Sequence, residues 1–197
     1  MINKIERFIG IDEVGRGPLA GPITLCAMSF SSRNLEIFNG IKDSKKLTEK
    51  SRNEWYGKIH EEKNIGRINF SISSASNFDI DKFGLSKVIK LAIENILKEL
   101  ECDPAGSFIL LDGSLYAPSE YKQQETIIKG DEKEQVISTA SVVAKVYRDL
   151  LMIEYSKKYP QYGFEKHKGY GTKAHYEAIK KYGICEIHRK SFLKDII

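Results

Sequence analysis

The stretch from Phe8 to Pro22 constrains the fold of this 197-residue chain more than any other. An apolar run from Arg7 to Ile11 indicates a buried strand. The adjacent Asp12 and Glu13 follow it, and then comes a turn with three glycines and two prolines. Ile23–Phe30 has the composition of a second strand that is buried on both faces. Because the glycine-rich turn reverses the chain, we expect these two strands to pair as an antiparallel hairpin.

The adjacent carboxylates stand beside groups that suit a phosphate. Neighbouring side chains of a strand point to opposite faces, so Asp12 and Glu13 reach one rim only if the strand ends before them. The glycines permit positive backbone dihedral angles and close approach, and the Arg16 guanidinium matches phosphate oxygens. This combination indicates metal-assisted chemistry beside a phosphate. A Rossmann dinucleotide site is excluded, because the glycine spacing differs and Pro18 and Pro22 oppose a helix after the turn.

The composition is typical of an ordinary globular protein of one domain. The chain is 41% hydrophobic and 29% charged, and its formal charge of +4 fits a nucleic-acid partner without requiring one. Cys26, Cys102 and Cys185 are odd in number and have no CxxC spacing, so we expect a reducing, cytoplasmic compartment and no structural zinc site. Since Met1–Glu6 has no apolar core and no apolar run is long enough to cross a bilayer, neither a signal peptide nor a membrane helix is expected.

Hydrophobic periodicity predicts the other elements. The predicted strands are Gly66–Ser73, Ser107–Leu111 and Thr126–Ile128, with Leu35–Phe38 as a weaker candidate. The predicted helices are Glu49–Glu62 after the candidate cap Thr48, Phe83–Leu100, Glu132–Tyr155, and one from the cap Thr172 to Tyr182.

Two further carboxylates come directly after strands. Asp112 ends the apolar run Ser107–Leu111, and Asp131 lies between a short strand and the start of a long predicted helix. Ligands of open α/β sheets gather beyond strand ends, and the positive end of a helix dipole tolerates a carboxylate. Asp149 lies about five helical turns beyond Asp131, too far along the helix to serve the same pocket. Oxygen ligands alone suit hard cations such as Mg²⁺ or Mn²⁺.

Three segments carry basic or aromatic residues that could contact nucleic acid. Lys45 and Lys46 are adjacent, and Tyr159–Thr172 mixes aromatic and basic residues in a glycine-rich loop that suits stacking beside phosphates. His188–Phe192 reads as another basic patch. The histidines of the last forty residues lack the paired spacing of a zinc site, so we expect none to be a metal ligand.

The segment Ile9–Pro22 resembles the N-terminal signature of bacterial ribonuclease HII. The resemblance continues along nearly the whole chain through Asp43–Leu47, Asp112-Gly113, Lys129–Asp131, Ser138–Asp149, Tyr159–Phe164, His167–Tyr170 and His188–Phe192. It departs at Ile80–Leu85, where the family usually has Glu-Leu-Asn. That region is scaffold, so the departure concerns local packing rather than chemistry.

The resemblance implies an α/β fold of the ribonuclease H-like type, with a mixed five-stranded sheet flanked by helices. A core of about residues 1–158 and a small helical C-terminal extension of about residues 159–197 would form a single catalytic domain, which we expect to be monomeric. It also implies an endonuclease that cuts the RNA strand of RNA–DNA hybrids. Such an enzyme would nick duplex DNA 5′ to misincorporated ribonucleotides and leave 5′-phosphate and 3′-hydroxyl ends.

The resemblance also assigns site residues. The implied catalytic residues and metal ligands are Asp12, Glu13, Asp112 and Asp131, and the family motif falls on Asp131 rather than on the nearby Glu132 or Glu134. They would hold two Mn²⁺ or Mg²⁺ ions roughly 4 Å apart at turnover, with Asp12 and Asp112 as bridging ligands. The implied substrate contacts are the backbone of Gly15, Arg16 and Gly17, phosphate contacts from Lys45 and Lys46, and Tyr170, which would recognise the ribose.

Two other classes of function remain open from the residues. A DNA-cutting resolvase or integrase of the same fold shares the carboxylates, but it gives no reason for the Gly15–Gly17 loop or Tyr170. A nucleic-acid binder without catalysis would use the surface lysines and Arg189. Cleavage of all-DNA substrate would favour the first, and metal-dependent cleavage would exclude the second.

Overall fold

A computed structural model of the protein describes residues 5–41 and 43–194, so part of the Met1–Glu6 segment lies outside the described residues. The strands are β1 (Arg7–Val14), β2 (Ile23–Ser31), β3 (Ile68–Ala75), β4 (Ser107–Asp112) and β5 (Gln124–Ile127). The helices are α1 (Glu49–Asn64), α2 (Asn77–Phe83), α3 (Leu85–Glu99), α4 (Gly130–Lys133), α5 (Gln135–Lys158), α6 (Phe164–His167) and α7 (Lys173–Tyr182). Short 3₁₀ turns cover Pro160–Tyr162 and Lys190–Phe192.

The strands form one mixed sheet in the order β3-β2-β1-β4-β5. β1 pairs antiparallel with β2, and β2 pairs antiparallel with β3. β4 lies parallel to β1 on its other side, and β5 lies parallel to β4. The mixed five-stranded sheet and the β1–β2 hairpin are therefore confirmed.

β1 is longer than the apolar run indicated. It continues through Asp12 and Glu13 to Val14, where it still pairs with Thr24. The strand therefore does not end before the two carboxylates, which was the condition under which both would reach one rim directly. Backbone pairing with β2 holds the strand extended, so the two side chains leave opposite faces of the sheet.

Helices cover both faces of the sheet. Ile9 and Ile11 of β1 pack with the apolar stripe of α3 in one buried cluster, and Met28 of β2 packs with α5 and α1 residues in a second. α5 runs very close to β1, because a Cβ at Gly10 would lie 2.2 Å from the carbonyl oxygen of Val136. Only glycine allows this approach. The buried face of α5 therefore lies directly over the strand that carries Asp12.

Local capping signals predicted some boundaries correctly. The Thr48 side chain accepts a hydrogen bond from the Ser51 amide at 3.2 Å, and that of Thr172 accepts one from the His175 amide at 3.3 Å. Gly183 ends α7 as expected. α1 and α7 are therefore confirmed as helices with the predicted N-caps.

Two predicted elements differ from the structure, and one helix was not predicted. The Leu35–Phe38 segment forms turns rather than a strand. Asn77–Phe83 forms α2, a short helix with a capping box at Ser76 that was not predicted. The long helix expected over Glu132–Tyr155 is divided at Glu134, whose backbone is extended (φ −116°, ψ 117°). Asp131 consequently lies in the separate single turn α4.

The C-terminal segment packs against the turn that follows β1. Phe164 and Leu193 are fully buried in a third cluster together with Ala20. Ala20 also forms an isolated antiparallel bridge with His188. Among the described residues, no helix is both long enough and apolar enough to cross a membrane.

Candidate active site

Three aspartates meet at the end of the sheet. One carboxylate oxygen each from Asp12, Asp112 and Asp131 lies within 4.8 Å of the other two. The register of the parallel pair brings the first two together, because Ile11 of β1 pairs with Leu111 of β4 and the aspartates are the next residues on each strand. Asp12 and Asp131 are buried, and Asp112 is partly exposed. The aspartates therefore form an oxygen-only pocket open to solvent on the Asp112 side.

Asp131 is held against Asp112 through the backbone of α4. One carboxylate oxygen of Asp112 accepts hydrogen bonds from the Gly130 amide at 2.7 Å and, weakly, from the Asp131 amide at 3.4 Å. The Ser138 hydroxyl of α5 donates to the main-chain oxygen of Asp131 at 2.7 Å. The break at Glu134 allows this arrangement, because α4 can turn its aspartate inward independently of α5.

Glu13 is not part of the aspartate cluster, but it is close enough for its charge to raise the pKa of Asp12 and for the charge of Asp112 to raise its own. Its Oε1 accepts a hydrogen bond from Arg16 Nε at 3.0 Å. Its Oε2 is buried and has no hydrogen-bond partner among the described residues. A buried carboxylate oxygen without a partner is costly, so this atom suits a cation ligand.

Burial and mutual repulsion shape the electrostatics of the pocket. Burial, followed by the charge of Glu13, raises the pKa of Asp12 well above its usual value. Burial also raises the pKa of Glu13, although the charge of Arg16 opposes this. Each shift means that the ionised form is unfavourable without a compensating positive charge. A divalent cation would supply that charge, and the hard oxygen donors fit Mg²⁺ or Mn²⁺.

A lysine-bearing turn faces the pocket. Lys45 Nζ lies 3.0 Å from Asp131 Oδ2, and Lys46 Nζ lies 2.6 Å from Glu132 Oε2. Burial alone would lower the pKa of Lys45, but the hydrogen bond from its ammonium to Asp131 outweighs this and raises it. Both lysine side chains are more than half exposed, so each can also reach a ligand in solvent.

Side chains of α1 and α5 hold the lysine-bearing turn in place. Arg52 Nη1 donates to the carbonyl oxygens of Ser44 and Leu47, each at 2.6 Å. The Ser44 hydroxyl is 2.8 Å from that of Ser141 on α5. These bonds hold the turn, and with it the lysines, at the rim of the pocket.

The loop after β1 carries Gly15, Arg16 and Gly17. Gly15 is buried with φ +95°, whereas Arg16 and Gly17 are exposed. Tyr170 lies on a separate loop and keeps 41% of its surface exposed. The two loops are joined by a hydrogen bond from the Leu19 amide to the Gly169 carbonyl oxygen at 2.8 Å. The expected ribose contacts therefore share one rim of the molecule.

A histidine cluster supports the Tyr170 loop. His175 Nδ1 lies 2.9 Å from the Tyr170 carbonyl oxygen, and His175 Nε2 lies 3.1 Å from His188 Nε2. The remaining nitrogen of His188 lies 2.9 Å from the Cys185 amide. Through these bonds His175 and His188 fix the main chain around Tyr170 and Cys185.

This cluster makes the stability of the protein pH-dependent. Burial, followed by the charge of His175, lowers the pKa of His188 from 6.5 to about 4. A lowered histidine pKa means that the unfolded chain binds a proton first, so stability is lost as pH falls from 6.5 towards 4. We expect a loss of about 2 to 3 kcal/mol from this residue. Urea unfolding of the parent and of His188→Gln across this range measures it, and an equal pH slope in both proteins would contradict it.

Two buried arginines were missed from the sequence. Arg189 was expected in an exposed basic patch, but it and His188 are buried. The patch interpretation was wrong because the Arg189 guanidinium is enclosed by carbonyl oxygens of the loop after β1. Arg148 is also fully buried. A signal was available for Arg148, since it falls at helical spacing between the buried Ala144 and Met152 of α5.

Comparisons with known proteins agree with this architecture. A family model described as Ribonuclease HII matches residues 9–195. Ribonuclease HII of Caldicellulosiruptor bescii is 44% identical over 198 residues, which cover 100% of this chain and 92% of the relative. Among solved structures, ribonuclease H2 from Pyrococcus horikoshii OT3 has a TM-score of 0.73 at 24% identity and covers 96% of each chain.

A second solved structure is that of Bst ribonuclease HIII in complex with Mn²⁺. Its TM-score is 0.65 at 16% identity, and the match covers 96% of this chain and 65% of that one. At these identities the two structures establish the fold alone. The expected ribonuclease H-like fold is confirmed.

Proposed function

Because the chain belongs to the ribonuclease HII family, we propose that it nicks duplex DNA on the 5′ side of a misincorporated ribonucleotide. Membership of the family makes the protein an endoribonuclease that acts on RNA–DNA hybrids. The proposal adds the single-ribonucleotide substrate, the position of the cut and a hydrolysis assisted by two divalent ions. The products would carry 5′-phosphate and 3′-hydroxyl ends.

The observation that carries the proposal is the aspartate pocket beside a loop of exposed backbone. Asp12, Asp112 and Asp131 offer oxygens within 4.8 Å of one another. Gly15–Gly17 begins two residues after Glu13 and three after Asp12, and the Glu13–Arg16 ion pair links the loop to the pocket. A reacting phosphate and the ribose next to it could therefore be held at the same time.

The donor set fits divalent ions. The pocket provides carboxylate oxygens only, and Glu13 contributes a buried oxygen with no hydrogen-bond partner in the described part of the chain. We assign Asp12, Glu13, Asp112 and Asp131 as ligands of Mg²⁺ or Mn²⁺, and the Mn²⁺ complex of the distantly related Bst ribonuclease HIII agrees with this choice. Bound ions would supply activation of a water and stabilisation of the leaving 3′ oxygen.

The chain's own residues orient the substrate. Lys45 and Lys46 would exchange their carboxylate partners for phosphate oxygens, because both side chains reach solvent. The backbone of the Gly15–Gly17 loop would hydrogen-bond the 2′-hydroxyl, the one group that distinguishes a ribonucleotide from DNA at a single position. Tyr170 would stack on the sugar and donate its hydroxyl proton in a hydrogen bond.

The test is a cleavage assay on matched duplexes. We expect incision on the 5′ side of one embedded ribonucleotide and cleavage of an RNA–DNA hybrid, each only with Mg²⁺ or Mn²⁺. An all-DNA duplex of the same sequence is the control, and it should stay intact. Gel analysis of end-labelled strands gives the position of the cut, and phosphatase sensitivity gives the end chemistry.

Two results would contradict the proposal. Cleavage of the all-DNA duplex would favour a resolvase or integrase type of enzyme on the same fold. Binding without any metal-dependent cleavage would favour the nucleic-acid binder.

We further propose that the protein acts as a monomer in the cytoplasm. Cys26, Cys102 and Cys185 are free thiols. Free thiols without a disulfide partner support a reducing compartment.

A further inference from the structure

Two arginines that pair with no carboxylate of a described residue lie under the loop that is proposed to recognise the ribose. Arg148 of α5 and Arg189 near the C-terminus are both fully buried. In the described part of the chain, their guanidinium groups donate hydrogen bonds to main-chain carbonyl oxygens alone. A buried cation without an ionic partner is expensive, so stability alone does not explain this pair.

Arg189 sets the orientation of the loop backbone. Its Nη2 donates to the Gly15 carbonyl oxygen at 2.7 Å, and its Nη1 donates to the Arg16 carbonyl oxygen at 3.1 Å. Its Nε donates to the Gly21 carbonyl oxygen at 2.9 Å, at the other end of the turn. The planar fork of one arginine therefore draws three carbonyl groups of the turn towards the protein interior.

Because each peptide unit is planar, a carbonyl group that points inward makes the amide of the next residue point outward. In a planar trans peptide, the N–H points away from the C=O of the same unit. With the Gly15 and Arg16 carbonyl groups turned inward, the amides of Arg16 and Gly17 point out from the loop. Neither amide donates a hydrogen bond to another described residue, and a Cβ at Gly17 would meet nothing within 4 Å. Because Arg16 and Gly17 are exposed, these two unused donors are accessible to a ligand.

Arg148 fixes this loop against the tyrosine loop. Its Nε and Nη2 donate to the carbonyl oxygens of Pro22 and Ala20 at 2.9 and 3.2 Å. Its Nη1 donates to the Lys168 carbonyl oxygen at 3.0 Å, two residues before Tyr170. The guanidinium carbon also lies 5.9 Å from the centre of the Tyr170 ring. One side chain thus holds both halves of the proposed ribose site.

Arg148 packs so closely against Gly15 that no side chain fits at this position. A Cβ there would lie 2.3 Å from Arg148 Nε, and the residue has φ +95°. Burial lowers the pKa of both arginines, and burial with the neighbouring charge of Arg148 lowers that of Arg189 to about 9. An anionic substrate at the loop would offset the cost of these two charges.

We propose that Arg189 and Arg148 are positioning residues for ribose recognition. Arg189 aims the Arg16 and Gly17 amides at the 2′-hydroxyl, and Arg148 sets the distance between these amides and Tyr170. The inference rests on the proposed function and adds residues that touch neither the substrate nor the metal ions.

The test is the energetic coupling between Arg189 and the 2′-hydroxyl. Dissociation constants are measured by fluorescence anisotropy for a duplex with one ribonucleotide and for the matched all-DNA duplex. All proteins carry Asp112→Asn, so nothing is cleaved. We expect the protein that carries Asp112→Asn alone, the background protein, to bind the ribonucleotide duplex more tightly than the all-DNA duplex. Adding Arg189→Met should reduce the ratio of the two dissociation constants by about tenfold. A loss of fold alone would weaken binding of both duplexes equally.

Arg52→Met is the matched control, because Arg52 also binds two main-chain carbonyl oxygens, but in the turn that bears the lysines. It should weaken binding of both duplexes by the same factor and leave their ratio unchanged. Thermal unfolding checks that each variant is folded. If Arg189→Met is unfolded, Arg189→Lys takes its place, since lysine keeps the charge and lacks the fork. Arg148→Met should reduce the same ratio.

The outcomes distinguish a failure of the positioning role from a failure of the proposed ribose recognition. A background protein that prefers the ribonucleotide duplex, together with an Arg189 variant that keeps this preference, overturns the positioning role alone. An equal change of the ratio in Arg52→Met overturns it as well. A background protein with equal affinity for both duplexes overturns the proposed ribose recognition, and the positioning role with it.

Discussion

Asp12→Asn or Asp112→Asn is expected to abolish cleavage of every substrate. A loss of about a thousandfold or more follows, because bound metal ions supply several kcal/mol of transition-state stabilisation. The neutral amide lacks the second anionic oxygen that the pocket offers to a cation. Affinity for duplex should largely persist, since it comes mainly from phosphate contacts. Single-turnover rates and anisotropy measure the two properties separately.

Asp131→Asn should also reduce the rate by orders of magnitude, and Asp149→Asn is the control. Asp149 lies in the middle of α5, where it pairs with Lys145 at 2.8 Å outside the aspartate cluster. Mg²⁺ should raise the unfolding temperature of the parent and of Asp149→Asn, and less so that of Asp131→Asn. If Asp149→Asn abolishes turnover in a folded protein and Asp131→Asn does not, the assignment of the fourth ligand is wrong.

Tyr170→Ala is expected to lose most of the activity on a single embedded ribonucleotide. A fall of about a hundredfold is expected, because a site built around one hydroxyl depends on each group that holds it. The main chain of Tyr170 is fixed by His175, so removal of the ring should leave the loop in place. Metal binding should be unchanged, since the tyrosine is not one of the clustered carboxylates.

Two further variants separate the roles of the ring and the hydroxyl. Tyr170→Phe keeps stacking and removes the hydrogen bond, so its activity should lie between those of the parent and Tyr170→Ala. Tyr182→Ala removes another half-exposed tyrosine, on α7, and should cut as fast as the parent. Tyr170→Ala with a parental rate on a lone ribonucleotide would refute the recognition role.

Local sequence signals predicted most of the fold. Ile23–Phe30 is apolar except at Thr24 and Ser29, and β2 is buried at almost every position. Thr48 and Thr172 cap helices through their own side chains, so a short stretch of sequence contains the full physical reason for each boundary. The break at Glu134 has no such local signal, and the turn that it sets apart contacts Asp112 on a strand distant in sequence.

The sequence predicted the carboxylates of the candidate site but not the buried arginine that supports its loop. Asp112 could be found because it directly follows an apolar run, Ser107–Leu111, and it proves to be the last residue of β4. The burial of Arg189 could not be predicted, because its hydrogen-bond partners are carbonyl groups more than 160 residues earlier in the chain. An arginine is normally expected to be exposed. Only the three-dimensional arrangement of the main-chain carbonyl oxygens shows that this one is buried.

The bridge between Ala20 and His188 has a consequence for the order in which the chain is made. A ribosome releases the N-terminal hairpin long before His188 and Arg189 are synthesised. Until they emerge, the loop after β1 lacks the bonds that join it to them, whatever the state of the sheet. The part of the protein proposed to select its substrate is thus completed only after these two residues have emerged from the ribosome. A nascent chain surrounded by RNA carries its aspartates without the finished loop beside them.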